Sequence, residues 1–200
     1  MEIVIASSNL HKIREIRSIL KPVLPLDYLS LVDFPDYQAP EETGDSFEEN
    51  AFVKATHAAT ALKRWVLADD SGLVVPSLQD RPGVKSKRFA GESASDKDNR
   101  QKLIDELDPL SEHERTGYYA CALALASPEG IQLQVQGMCE GSLILTPRGS
   151  QGFGYDPIFL KYDYNKTFAE IDEETKNKIS HRRKALDKLI PRLDEILKKS

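Results

Sequence analysis

Short aliphatic runs alternate along the chain with stretches whose apolar residues recur every three or four positions, a pattern that predicts strands interleaved with helices. EIVIAS (2–7) reads as a buried strand leading straight into a helix, on which Ile13, Ile16, Ile19 and Leu20 keep helical spacing with Ser8 or Asn9 as the cap. YLSLV (28–32) reads as a second strand and PDYQAPEETG (35–44) as a loop dense in turn formers. Asp45 and Glu48 have capping-box spacing, and Phe47, Ala51, Ala55, Ala58 and Leu62 then give the apolar stripe of a helix reaching about Lys63. Asn50, Lys54 and His57 share a second face of it, for which solvent exposure is the simplest expectation. WVLAD and GLVV flank Asp69-Asp70, so a strand is expected to end on two carboxylates and turn on Ser71-Gly72. A loop with Pro82-Gly83 and Gly91 precedes a helix from about Asp96 to Leu107. TGYYACALALA (116–126) and IQLQVQG (131–137) alternate around Ser127-Pro128-Glu129-Gly130, a hairpin, and GSLIL (141–145) predicts one more strand. QGFGYDPIF (151–159) is a glycine-rich loop entering a short strand, and residues 172 to about 198 are helical with a break at Pro191. No repeat or low-complexity linker divides the chain. The expectation is one mixed α/β domain, 1–200, around a long, twisted sheet.

Composition narrows the class. With 40% hydrophobic and 30% charged residues the chain affords a sizeable core without staples. No stretch approaches the roughly 18 consecutive apolar residues of a membrane span, and the first residues lack a leader pattern. Cys121 and Cys139 lie in apolar segments without CxxC spacing, which fits buried free thiols in a reducing compartment. The chain is therefore expected to be cytoplasmic, with no membrane partner. A net charge of −5, from 27 basic and 32 acidic residues, argues against a nucleic acid partner. Positive charge is nonetheless concentrated in KNKISHRRK (176–184), which holds five basic residues and no acidic one.

Several segments then carry candidate chemistry. A strand running directly into a helix offers backbone N–H groups to an anion, and Lys12 in that first turn is poorly placed for helix stability, so a bound phosphate would explain it. Adjacent strand residues point to opposite faces, so one of Asp69 and Asp70 is expected to face a cleft while the other accepts hydrogen bonds from the following turn. With Glu41 and Glu42 in a loop, the cleft carboxylate would bind Mg²⁺ or act as general base on water. In GFGYDP, glycines flank the stacking face of Phe153. SHRR (180–183) supplies an imidazole and two guanidiniums, and an Arg fork can read a purine 6-oxo group that an adenine lacks. No GxxxxGKS loop is present.

In this order, SSNLHKIREI, EETGDSFEENAFVKATHAA, ADDSGL, PGVKSKRFAG, GFGYDPIF and KNKISHRRKAL resemble the inosine/xanthosine triphosphate pyrophosphatase family over nearly the full length. The resemblance implies a two-lobed α/β fold with a central nucleotide cleft. It also implies hydrolysis of ITP, dITP or XTP to monophosphate and pyrophosphate with Mg²⁺, and a homodimer, for which the apolar hairpin is the candidate surface. Laid onto this chain, it implies that Ser7, Ser8, Asn9 and Lys12 hold the triphosphate and that Lys54 reaches the same phosphates. Asp70 would be the catalytic carboxylate, and Glu41, or Glu42 beside it, the second metal-site residue. Ser71 would touch the nucleotide; Phe153, Gly154, Tyr155 and Asp156 would form the base loop; Lys176, His181 and Arg182 would form the base-reading end. The chain departs from the family pattern in reading Ser-Ser-Asn where Thr-Gly-Asn is frequent, in His11 where glycine is frequent, and in Lys87 where a small residue is common. A pyrophosphatase for modified pyrimidine or methylated nucleotides would share the phosphate-end motifs; SHR and Phe153 speak against it.

Overall fold

In the computed structural model, which describes residues 2–197, strands and helices interleave as the hydrophobic pattern predicts. The strands are β1 (Glu2–Ala6), β2 (Asp27–Ser30), β3 (Trp65–Val75), β4 (Arg81–Pro82), β5 (Thr116–Ser127), β6 (Gly130–Leu143), β7 (Phe159–Lys161) and β8 (Lys166–Thr167). The helices are α1 (Leu10–Leu20), α2 (Phe47–Leu62), α3 (Asp96–Leu107), α4 (Glu173–Ile179) and α5 (His181–Leu197). The strands form one mixed sheet in the order β2-β1-β3-β5-β6-β7-β8, with β4 paired to β3. β1 is parallel to both neighbours, Ile3 facing Tyr28 on one side and Trp65 on the other. β4, β7 and β8 pair antiparallel with β3, β6 and β7.

The chain divides into two compact units. The first takes the residues up to Asp70, Cys121–Gly137 and the chain from His181. There Ile13, Ile16, Ile19 and Leu20 of α1 pack with Ile3 and Ile5 of β1, Leu67, Leu123 and Leu125, and with Ala185, Leu186, Leu189 and Leu193 of α5. The alternate strand residues build a second layer: Val4, Ala6, Val66, Ala68, Ala122, Ala124 and Ala126 meet Ala51, Ala55, Ala58 and Ala59 of α2. Alanine against alanine lets the α2 backbone approach the sheet closely, which brings even short α2 side chains within reach of β3. The second unit, Ser71–Ala120 with Met138–Ser180, has its own core of Leu73, Val75, Leu103, Leu107, Tyr119, Cys139, Phe159, Phe168 and Ile171. The Tyr119 and Phe159 ring centroids lie 4.8 Å apart.

Several elements differ from the sequence expectation, each for a local reason. β3 does not turn at Ser71-Gly72; it is a single strand of 11 residues. Leu73, Val74 and Val75 are buried, as Val66 and Leu67 are, so both ends are held in a core. Gly72 lies there because a Cβ would come within 2.3 Å of Ser86 Oγ and 2.7 Å of the Gly83 carbonyl. The cap of α2 is Ser46, whose Oγ accepts the Glu49 N–H (3.1 Å) while Asp45 N–H donates to Glu49 Oε2 (3.1 Å), one residue beyond the expected Asp45–Glu48 pair. GSLIL is not a separate strand, since its start completes the 14-residue β6. The break near the C-terminus falls at Ser180, which is extended (φ −69°, ψ 162°) between α4 and α5. Pro191 sits inside α5 on its exposed side, where one lost hydrogen bond is outweighed by the buried Leu186, Leu189 and Leu193 stripe. The expected helix end at 198 lies outside the described residues. On the hairpin, Val135 and Cys139 are buried, and the exposed positions of β6 mix Gln134, Gln136 and Glu140 with Ile131 and Met138. Among the described residues, no helix is long and apolar enough to cross a membrane. Cys121 and Cys139 are both buried thiols.

Candidate active site

In the first unit, the carboxylates of Asp69 and Asp70 lead to different partners, as alternation on a strand requires. Asp69, 1% exposed, accepts Arg182 Nε at Oδ2 (2.9 Å), Lys12 Nζ at Oδ1 (2.6 Å) and the Cys121 thiol at Oδ2 (3.1 Å). The same Arg182 guanidinium donates to Glu15 on α1. Asp69 is therefore the centre of a buried ionic cluster and does not hold a turn. Burial pushes its carboxyl up, but Arg182 and Lys12 outweigh that and hold it well below the usual carboxylate range. Arg182 keeps its proton more firmly still, because the two acids beside it outweigh its desolvation. Burial, with Asp69 alongside, pushes the Cys121 thiol up, so this cysteine is not poised as a thiolate.

Asp70 belongs to a second cluster. Its Oδ1 accepts Lys54 Nζ (2.8 Å) and its Oδ2 accepts Asn50 Nδ2 (3.2 Å). Lys54 also donates to Glu42 Oε1 (3.2 Å) and to the Asp69 carbonyl (2.8 Å). Two carboxylates thus converge on one ammonium. Burial raises the Asp70 carboxyl; Lys54 and Lys12 draw it down and Glu42 opposes them, leaving it above the ordinary value. Burial disfavours the Lys54 charge, yet Asp70 and Glu42 more than restore it and keep the amine protonated. A position shared by two carboxylates, one of them part-exposed, suits a hard divalent cation that retains water and accepts phosphate oxygens. It is Glu42 that shares Lys54 with Asp70. No group of three or more His, Cys, Asp or Glu able to hold a metal occurs among the described residues.

The first strand–helix turn is already capped. Asn9 Oδ1 accepts the His11 and Lys12 N–H groups (2.9 and 3.3 Å), and Ser7 Oγ accepts the Asn9 N–H (3.1 Å), while Ser8 is exposed. Two of the N–H groups expected to face an anion are spent on Asn9. Asp69 supplies a reason for a cation in that turn that needs no phosphate.

In the second unit, the glycine-rich loop is tied down by its own Asp156. Its carboxylate, in a residue 2% exposed, accepts the Phe153 N–H (2.9 Å), Lys176 Nζ (2.6 Å) and the Tyr119 hydroxyl (3.2 Å). Gly152 permits this with φ +74°, and a Cβ there would fall 2.0 Å from Asp156 Oδ2. Tyr155 is buried with its hydroxyl on the Ser86 carbonyl (2.8 Å), while Gly154 is held by Asp96 and Arg100 (2.7 Å each). Phe153 stays half-buried, and Lys176 Nζ lies 4.9 Å from its ring centroid and 5.6 Å from that of Phe168. Ser71 lies within β3, partly exposed.

Of the residues singled out from sequence, Lys54, Asp70 and Glu42 come together, as do Phe153, Asp156 and Lys176. Three placements correct the expectation. Arg182 is no free fork for a base, since its buried guanidinium is committed to Asp69 and Glu15. Asp156 and Tyr155 anchor the loop from inside. Asn50 and Lys54 are not a solvent face: Asn50 is 2% exposed. Glu15 was missed altogether, and its only signal was an acid set among the buried positions Ile13, Ile16 and Ile19.

The model of the Ham1 family matches residues 3–192. A dITP/XTP pyrophosphatase of Protochlamydia amoebophila is 55% identical over 98% of this chain and 99% of its own length. One of Chlamydia abortus is 52% identical over 100% and 97%. Among solved structures, a HAM1 protein from Coxiella burnetii superposes with a TM-score of 0.88 at 40% identity, covering 98% of this chain and 99% of the other. A nucleoside-triphosphatase / dITP/XTP pyrophosphatase from Mycobacterium abscessus gives 0.77 at 39% identity, covering 96% and 100%.

Proposed function

This chain belongs to the Ham1 family, and from that membership we propose that it hydrolyses the non-standard purine nucleoside triphosphates ITP, dITP and XTP to the monophosphate and pyrophosphate. The observation that carries the reading is the meeting of Asp70 and Glu42 on Lys54, with the Asp70 carboxyl raised by burial. A raised carboxylate is a better base near neutral pH than an ordinary one. Asp70 orients and deprotonates the water that attacks the α-phosphorus, and pyrophosphate leaves. Lys54, already drawn between two acids, offers its ammonium to the incoming phosphates; Lys12, steadied by Asp69, does the same, and Ser7, Ser8 and Asn9 shape the turn beside it. Glu42 and Asp70 would hold a divalent metal, which we take to be Mg²⁺; when bound it supplies charge neutralisation of the phosphate oxygens.

At the base end, the open face of Phe153 is a stacking platform, and Gly154 and Ser71 border the nucleotide. The ammonium of Lys176 beside that ring favours a 6-oxo acceptor over a 6-amino donor. A site that pairs one polar edge rejects the wrong one by roughly 10⁴-fold or more, because its own groups are left unpaired. His181 is retained as a base contact, whereas Arg182 acts through Asp69. The two buried thiols fit a reducing, cytoplasmic setting, and the working form is a homodimer.

Pyrophosphate release from ITP, XTP, ATP, GTP and TTP with Mg²⁺, run beside Asp70→Asn, tests this. Release from ITP and XTP alone, abolished by the substitution, is expected. Equal release from all five would remove the base-end assignment, and turnover by Asp70→Asn would remove Asp70 as the catalytic residue.

A further inference from the structure

The acidic loop that carries Glu42 closes at Gly44, and one buried side chain holds it there. Asn50 Oδ1 accepts the Gly44 N–H (2.9 Å), while Nδ2 donates to the Gly44 carbonyl (3.4 Å) and to Asp70 Oδ2 (3.2 Å). The other Asp70 oxygen takes Lys54, the amine shared with Glu42. Gly44 is not among the residues with positive φ, so its backbone conformation is open to any residue. What excludes a side chain is space, since a Cβ would fall 2.7 Å from Asn50 Oδ1 and 3.0 Å from Glu49 Cγ.

These contacts are more than loop closure requires. Two Gly44 groups would be satisfied by any local cap, yet the amide is also turned so that its second donor meets the Asp70 carboxylate. Asn is the smallest side chain with an acceptor and two donors on one rigid plane. Being neutral, it can lie against a carboxylate without taking the place of Lys54 as the charged partner. We propose that Asn50 is a positioning residue, which fixes the rotation of the Asp70 carboxylate and the place of the Glu42 loop together, so that the two acids meet at a single cation-sized position. The proposal rests on the catalytic reading of Asp70 given above.

The two arms of the clamp can be cut separately. Asn50→Asp keeps an acceptor for the Gly44 N–H and replaces the donor facing Asp70 by a carboxylate oxygen. Gly44→Ala disturbs the loop arm and touches no atom of Asp70. Both are expected to lower kcat on ITP by about 10- to 100-fold, the range for partners that orient a site's ligands, with a much smaller change in KM. In an Asn50→Ala background, Gly44→Ala should cost less than in the wild type, because the atom it strikes hardest is gone and only the tight contacts with Glu49 remain. A loss of Tm with kcat unchanged in both single variants would make Asn50 a loop cap only, and would overturn the proposal.

Amide hydrogen exchange in the substrate-free protein gives a readout independent of turnover. In Asp70→Ala the amide of Asn50 loses one acceptor, and exchange at Gly44 should quicken by about tenfold or more as its clamp loosens. Exchange at Gly44 equal to wild type would sever the link between loop and carboxylate, whatever the kinetics. Turnover that survives in Asp70→Asn would instead remove the catalytic reading on which the proposal stands.

Discussion

At the scale of single residues, the adjacent carboxylates Asp69 and Asp70 show how neighbours on one strand acquire opposite character. Asp69 is flanked by three cation-bearing or donor groups and stays ionised; Asp70 is raised by burial, with Glu42 competing for its amine. Replacing Arg182 by Met would leave Asp69 and Glu15 buried without their common cation. A broken buried pair typically costs about 3–5 kcal/mol, which urea unfolding at pH 7 would measure. The sign of its pH dependence follows from the lowered Asp69 value. In the wild type the stabilisation is fully present above the unfolded value of about 3.9 and is lost only as pH falls through the lower folded value. Without Arg182, Asp69 protonates at higher pH, so the gap between wild type and variant should narrow as pH drops below about 4. Gly72→Ala is a second case. Its Cβ meets Ser86 Oγ and the Gly83 backbone, and overpacking of this kind costs about 1–3 kcal/mol. Adding Ser86→Ala should recover only part of the loss, since the Gly83 carbonyl remains.

Elements set how accurately those residues are delivered. The alanine layer between α2 and the sheet brings Lys54 and Asn50 to β3, and the break at Ser180 lets α4 carry Lys176 to Asp156 while α5 buries Arg182. α4 has only seven residues, with Asp172 as its cap accepting the Thr175 N–H (2.8 Å). So short a helix has little stability of its own, and Asp172→Ala should loosen it, seen as faster amide exchange over Glu173–Ile179. Hydrogen bonds from Thr175 hold the Asp172 carboxyl below its usual value. Its stabilising effect is therefore present above the unfolded value and fades as pH falls through the folded one, so the protection of the α4 amides relative to their intrinsic exchange rate should fall in acid. Most of these elements were legible in the chain, because apolar periodicity is set by burial of one face. The errors came at chain punctuation. Ser71-Gly72 looks like a turn but is a close-packed strand, and Pro191 looks like a break but is carried by the leucine stripe around it.

For the molecule as a whole, the composition, the parallel β1–β2 and β1–β3 pairs and the two cores make an α/β protein of the Ham1 family. On the reading proposed above, Asp70 and Glu42 would hold a metal together with water, while the described cores are built from apolar side chains. Chelation with EDTA is therefore expected to abolish pyrophosphate release from ITP while leaving the Tm and circular dichroism of the substrate-free protein unchanged. A large fall in Tm would mean that the metal is structural.

The sequence by itself determined the order of elements, the apolar faces and the family, because each depends on residue type at a fixed local spacing. It also exposed the problem of two buried acids in an aliphatic run. Which partners would solve that problem was decided only in three dimensions. Arg182 is 113 residues from Asp69, Asn50 is 20 from Asp70, and Glu15 is 167 from Arg182. No periodicity extends over such separations. A carboxylate in the sequence carries only the need for a donor, and folding selects which donor arrives, and with it whether the acid is locked as a charge or left raised.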